Sequence, residues 1–168
     1  MLTAQQVIET LKLVPLTIEG GYFRETYRAP LMIRGSALPK EYTGDRNVST
    51  AIYYLLTPET FSAIHIVRSD EAFHFYAGDP VEMLQCWPDG TSRVVIINND
   101  LAAGHEPQLV VPAGVWQGCR LARGGQWALM GCTVAPGFDY ADFELADQAE
   151  LTRKHPEHAE LIAALTKQ

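Results

Sequence analysis

The sequence predicts a mainly β fold, a barrel or sandwich with helices only at its two ends, and three observations predict it. Short segments rich in β-branched and aromatic residues recur from Tyr22 to Val134, separated by brief turns of Pro, Gly, Asp and Ser, as many short strands require. Helical signals occur only before Pro15 and after Pro136, which disfavours alternating β and α units. Hydrophobic residues make up 47% of the 168 residues, and one domain of this length buries roughly 68% of its potential surface.

At the start, Thr3 and Gln6 have the spacing of a capping box for a short helix carrying Val7, Ile8, Leu11 and Leu13, with Pro15 expected to stop it. Glu19-Gly20-Gly21 turns the chain into residues 22–28, where aromatic and polar side chains alternate as in a strand. Residues 30–47, with Pro30, Gly35, Pro39 and Gly44, read as a long loop or irregular hairpin. Strands are predicted over 49–57, 61–68, 71–77, 81–87 and 92–98, then over 108–111, 115–121 and 126–134. Past Pro136-Gly137, residues 138–145 connect to a helix near 146–154. Pro156 opens another, whose apolar side is Leu161, Ile162 and Leu165. This tail is expected to cover the β core. No linker composition divides the chain, so residues 1–168 read as a single domain.

Charge and cysteine usage exclude several functions. The formal charge is −7 and the basic residues are scattered, without the cationic stripe a nucleic-acid binder needs. Cys86, Cys119 and Cys132 are odd in number and widely spaced with no CxxC pair, as expected of free core thiols in a reducing compartment rather than of a zinc site. Residues 1–10 lack a basic region and an apolar run, so no signal peptide is expected. Apolar runs fall well short of the ~20 residues of a membrane span. The expectation is a soluble cytoplasmic protein, away from nucleic acid and membrane.

A polar pocket follows from alternation. With 61–68 as a strand, Phe61, Ala63, His65 and Val67 share one face, and Ser62, Ile64, Ile66 and Arg68 the other. In the next strand Glu71 aligns with Phe73 and Phe75, whereas His74 aligns with Ala72 and Tyr76. If both face inward, His65 and Glu71 meet across the Ser69-Asp70 connection. A buried carboxylate is costly unless it is hydrogen-bonded, solvated or liganded, so the pair is either internally satisfied or part of a ligand pocket. Pro112-x-Gly114 makes a turn that positions Gln117, an amide able to hold a ligand by donor and acceptor together. Trp116, Tyr53 and Tyr54 add amphipathic material. His74 points away on strict alternation, and a local bulge would bring it to the rim. His105 reads as a loop residue, and His155 and His158 as surface or capping groups.

These segments resemble the motifs of the cupins. His65 occupies the first histidine position of the first motif, Val67 the second, Glu71 the glutamate and Gly78 the closing glycine. In the second motif Pro112 and Gly114 match, Gln117 takes the histidine position and Leu121 the asparagine position. The glycines usual upstream of each motif are absent at that spacing. Together with Glu19-Gly20-Gly21-Tyr22-Phe23, the run from Ser69 to Pro80 and the run from Val111 to Gln117, the chain resembles a small single-domain cupin subfamily. The resemblance implies a jelly-roll-like β-barrel with a short N-terminal helix and C-terminal helices, and a homodimer. It implies no particular reaction, because this fold hosts many.

With Val67 and Gln117 in place of histidines, no metal or other cofactor is expected. A divalent ion stays an open alternative, with His65, Glu71 and Gln117 as its ligands and His74 as a substitute. The expected function is binding of a small polar molecule, sugars among the candidates, by His65, Glu71, Phe73, His74, Trp116 and Gln117. A second expectation is a metal-independent epimerase or isomerase acting on a nucleotide-linked keto-sugar or similar carbonyl compound. There His65 would be general base, Glu71 would orient or tune it, and Tyr53 or Tyr76 would return the proton. A third is a dimeric scaffold without a ligand.

Overall fold

A computed structural model describes residues 2–167 of the chain. Helix α1 (Ala4–Leu11) opens with the Thr3–Gln6 capping box, both of whose reciprocal bonds form. It ends at Lys12, which adopts a left-handed conformation, φ 52°. Pro15 is therefore not the stop; with Val14 it forms the short strand β1 (Val14–Pro15).

Eleven of the strands build two facing antiparallel sheets. One sheet has the order β1-β2-β5-β12-β7-β10, with β2 (Tyr22–Arg28), β5 (Thr50–Leu56), β7 (Asp70–Gly78), β10 (Gln108–Val111) and β12 (Ala128–Ala135). The other has the order β13-β6-β11-β8-β9, with β6 (Phe61–Val67), β8 (Val81–Cys86), β9 (Ser92–Ile97), β11 (Trp116–Leu121) and β13 (Phe143–Leu145). The stretch read as a long loop or irregular hairpin over residues 30–47 is a small separate hairpin with a long connection, β3 (Met32–Ile33) with β4 (Arg46–Asn47). The segment read as a connector over 138–145 contributes β13, which pairs with β6. Both pieces are too short to register as alternation in the sequence.

Alternation sorts the side chains into layers. Tyr54, Leu56, Phe73 and Phe75 from one sheet meet Val81, Met83, Ile97 and Cys119 from the other in the central core. The opposite face of the second sheet, Ile64, Leu84 and Cys86, is covered by Leu151 of α2 (Gln148–Lys154), Ile162 of α3 (Ala159–Ala164) and Leu165 just beyond it. The C-terminal tail thus acts as the expected cover. On the first sheet, Val7 of α1 and Leu13 just beyond it cover Leu55. His155, expected as a surface or capping group, is the C-cap of α2, and its side chain is buried.

Candidate functional site

Gln117, His65 and Glu71 converge where the two sheets face one another. His65 on β6 lies directly across from Gln117 on β11. Glu71 reaches them from β7 in the opposite sheet, so Gln117 bridges the two layers. A register shift between Gln117 and Cys119 interrupts strict alternation on β6. It turns Ser62 toward the same side as His65, where the Ser62 hydroxyl donates to Glu19 Oε1 at 2.6 Å. Glu19 was not singled out from the sequence. Its clue is the Glu19-Gly20-Gly21 turn: Gly20 has φ 120° and lies so close to the Phe61 carbonyl that a Cβ would collide with it. Only glycine permits that approach, and the approach seats Glu19 against β6.

The hydrogen bonds assign the proton positions. His65 Nδ1 lies 2.8 Å from the Ala63 carbonyl, which can only accept, so Nδ1 carries a proton. Nε2 then offers its lone pair to the Gln117 amide nitrogen at 3.5 Å, while that nitrogen donates to Glu71 Oε2 at 2.6 Å. Gln117 Oε1 is buried without a partner. Burial pushes the Glu71 carboxyl up to about 7. Glu19 adds to that push, whereas His65 and the Gln117 and Cys132 hydrogen bonds oppose it. Burial also raises the Cys132 thiol well above its ordinary value, which keeps it protonated and unreactive.

His65 and Glu71 form part of the floor of a cavity of about 380 Å³. Glu19, Thr50 and Cys132 add to its polar lining, as do Glu25, Arg28 and Asp139. Phe23, Ile52, Val134 and Phe143 supply apolar wall, and Phe143 stacks on the His65 imidazole at 4.9 Å. At the mouth, Arg28 forms a two-pronged pair with Glu25 at 3.0 and 2.7 Å, and also donates to Asn47 and to the Phe138 carbonyl. Phe138 packs edge-on against both Tyr140 and Phe143. That aromatic strip is tied down by Asp142, whose buried carboxylate takes two bonds from the buried Arg46, at 2.7 and 2.8 Å. Sequence reading missed Phe143 and Arg46, because the partner of each lies far away in the chain, and Arg28, whose Glu25 partner is three residues away but whose place at the cavity depends on the fold.

Other candidates sit elsewhere. Phe73 faces inward but is sealed in the central core, away from the cavity lining. His74 lies one step out of phase with Glu71 and Phe73, on the outer face, bonded to Thr133 and Gln108 at 3.2 Å each. Tyr76 and Tyr53 pack edge-to-face on that same outer side, 6.1 Å apart, too far out of phase to return a proton to the floor. Trp116, adjacent to inward-facing Gln117, points out against α2 beside Leu151. The bulge that would have brought His74 inward does not form: the register shift between β12 and β7 falls at Leu129/Met130 instead.

Nor do these residues fit a transition metal. Among the described residues, no three His, Cys, Asp or Glu side chains come together as a metal site. The Gln117 amide nitrogen, a donor, sits between the His65 and Glu71 lone pairs where a cation would have to sit. An amide oxygen is in any case a weaker ligand than imidazole for zinc, iron or nickel.

Residues 5–146 match the family described as Cupin superfamily (DUF985). An uncharacterized protein of Saccharomyces cerevisiae is 33% identical, the alignment covering 96% of this chain and 85% of the yeast protein. A solved structure of a hypothetical protein from Leishmania major superposes with a TM-score of 0.89 at 32% identity, covering 99% of this chain and 100% of that one. A cupin 2 domain-containing protein from Halorhodospira halophila superposes with a TM-score of 0.57 at 12% identity, covering 89% and 84%, a likeness of fold alone. Two sheets wrapped around an inward-facing His65, Glu71 and Gln117, with the sequence match over most of the chain, place this protein in the cupin superfamily, in its DUF985 family.

Proposed function

We propose that the protein binds a small organic molecule in the 380 Å³ cavity, with His65 and Glu71 as its polar floor. One observation carries the reading: a buried imidazole and a buried carboxylate, held in place from behind by Gln117, open into a space whose walls include Leu16, Phe23, Ile52, Val134 and Phe143. That combination of apolar enclosure and a few fixed polar groups is what ligand sites offer. A ligand-observed NMR fragment screen tests it, run on wild type and on His65→Ala. Hits whose signals are lost in the variant support the site; hits that bind both proteins equally refute it.

A second reading, proton transfer next to a carbonyl, is favoured by one observation. The Glu71 carboxyl, at about 7, can give or take a proton near neutral pH beside the His65 Nε2 lone pair. Glu71 replaces Tyr53 and Tyr76 as the acid in this version. Solvent deuterium incorporation into a panel of small carbonyl compounds is expected to fall at least about 100-fold in His65→Ala; undiminished exchange removes His65 from the role. The three unpaired, buried thiols support a cytoplasmic setting. The partly uncovered outer face of the first sheet supports a homodimer.

A further inference from the structure

The charges around the cavity constrain what enters it. Four carboxylates line it: Glu19, Glu25, Glu71 and Asp139. Arg28 is its one permanently cationic lining residue, and its guanidinium is already matched by both oxygens of Glu25. The His65 Nδ1 proton is committed to the Ala63 carbonyl. At the floor, Glu71 accepts from Gln117 through Oε2, and Glu19 accepts from Ser62 through Oε1. The second Glu19 oxygen has no side-chain or backbone donor among the described residues, and beyond Gln117 the Glu71 carboxylate has only the weak donor of the Cys132 thiol. Glu71 is only 8% exposed, so its second oxygen sees the cavity rather than bulk water.

The floor is therefore rich in acceptors and poor in donors, beneath a wall that includes Phe23, Phe138 and Phe143. An occupant must bring donors and positive charge to the floor and apolar surface to the wall. Aromatic faces also attract cations. Resting on the cavity reading above, we propose that the ligand is an organic cation, an ammonium group carried on an apolar or aromatic body, seated with its nitrogen between Glu71 and Glu19. A nucleotide-linked sugar fits poorly, because its diphosphate would meet carboxylates with no unmatched guanidinium to receive it.

Three probes of similar shape separate the alternatives: 2-phenylethylamine, 2-phenylethanol and 3-phenylpropionate, titrated by protein-observed NMR at low salt and pH 8, above the Glu71 carboxyl at about 7. The ammonium is expected to bind about tenfold or more tighter than the alcohol, with the carboxylate weakest, since one well-placed charge pair is worth ~1.4 kcal/mol or more. Glu71→Gln is expected to weaken the ammonium by about tenfold and leave the alcohol within about twofold. Glu19→Gln, nearer the surface, is expected to shift the same ratio and serves if the first variant does not fold. Equal or tighter binding of the alcohol or the carboxylate at the cavity overturns the charge assignment and leaves the cavity reading standing. If no probe shifts cavity resonances up to about 10 mM, weaker than any ~mM site, both readings fail.

Discussion

Glu71 is held by opposing forces that a single substitution separates. Burial lifts its carboxyl from 4.5 to about 7, so the folded protein binds its proton more tightly than the unfolded chain does. Stability from this group is therefore full below about pH 4.5 and is lost as pH rises through 7, a swing of about 3 kcal/mol. Glu71→Gln keeps an oxygen that can accept from Gln117 but never ionises. Its melting temperature is expected to exceed that of wild type near pH 8 by several degrees, the gain vanishing toward pH 5. A gain independent of pH would contradict the assignment. His65 shows the complementary constraint: its ring is fixed by the Ala63 carbonyl on one side and by the Phe143 face on the other, so its Nε2 direction is set before any ligand arrives.

Between elements, the decisive contact is the Arg46–Asp142 pair. It joins the β3–β4 hairpin to the segment that carries Phe138 and Phe143 to the cavity. Both side chains are nearly inaccessible, 5% and 3% exposed. Arg46→Ala leaves the buried carboxylate with only the longer, partly exposed ion pair to Arg68, at 3.8 Å, and is expected to cost about 3–5 kcal/mol in urea unfolding. Arg46→Met combined with Asp142→Leu removes both charges and is expected to recover most of that loss. If the single variant costs as little as an exposed pair, under ~1 kcal/mol, the strip over His65 is held by its aromatic packing instead.

Across the whole molecule, the two sheets are covered unequally. The C-terminal helices lie over the second sheet, whereas α1 shields the first over β2, β5 and the start of β12. On the remainder, Tyr76 and Val110 are each 49% exposed, and His74 shares that face, bonded to Thr133. A second copy laid on this face would bury that surface and shelter the β10 edge. Light scattering at micromolar concentration is expected to give twice the chain mass, and Tyr76→Glu with Val110→Glu to shift it toward the monomer. A monomeric wild type would remove the dimer.

Local pattern carried much of this architecture. Period-two alternation sets Glu71, Phe73 and Phe75 on one face and His74 and Tyr76 on the other. Turn residues mark most strand ends, and capping signals confine helices to the termini. The sequence by itself therefore determined a β-rich cupin domain with His65, Glu71 and Gln117 available to its interior. What surrounds them was decided only in three dimensions. Glu19 reaches the floor through a glycine turn against β6, and Phe143 reaches His65 through a short strand held by Arg46, contacts between residues distant in sequence. The one-residue bulge on β6 that brings Ser62 to Glu19 leaves no trace in local composition. Alternation is a property of neighbouring residues and can be read along the chain, whereas the cavity's charge balance depends on which distant segments the fold brings together.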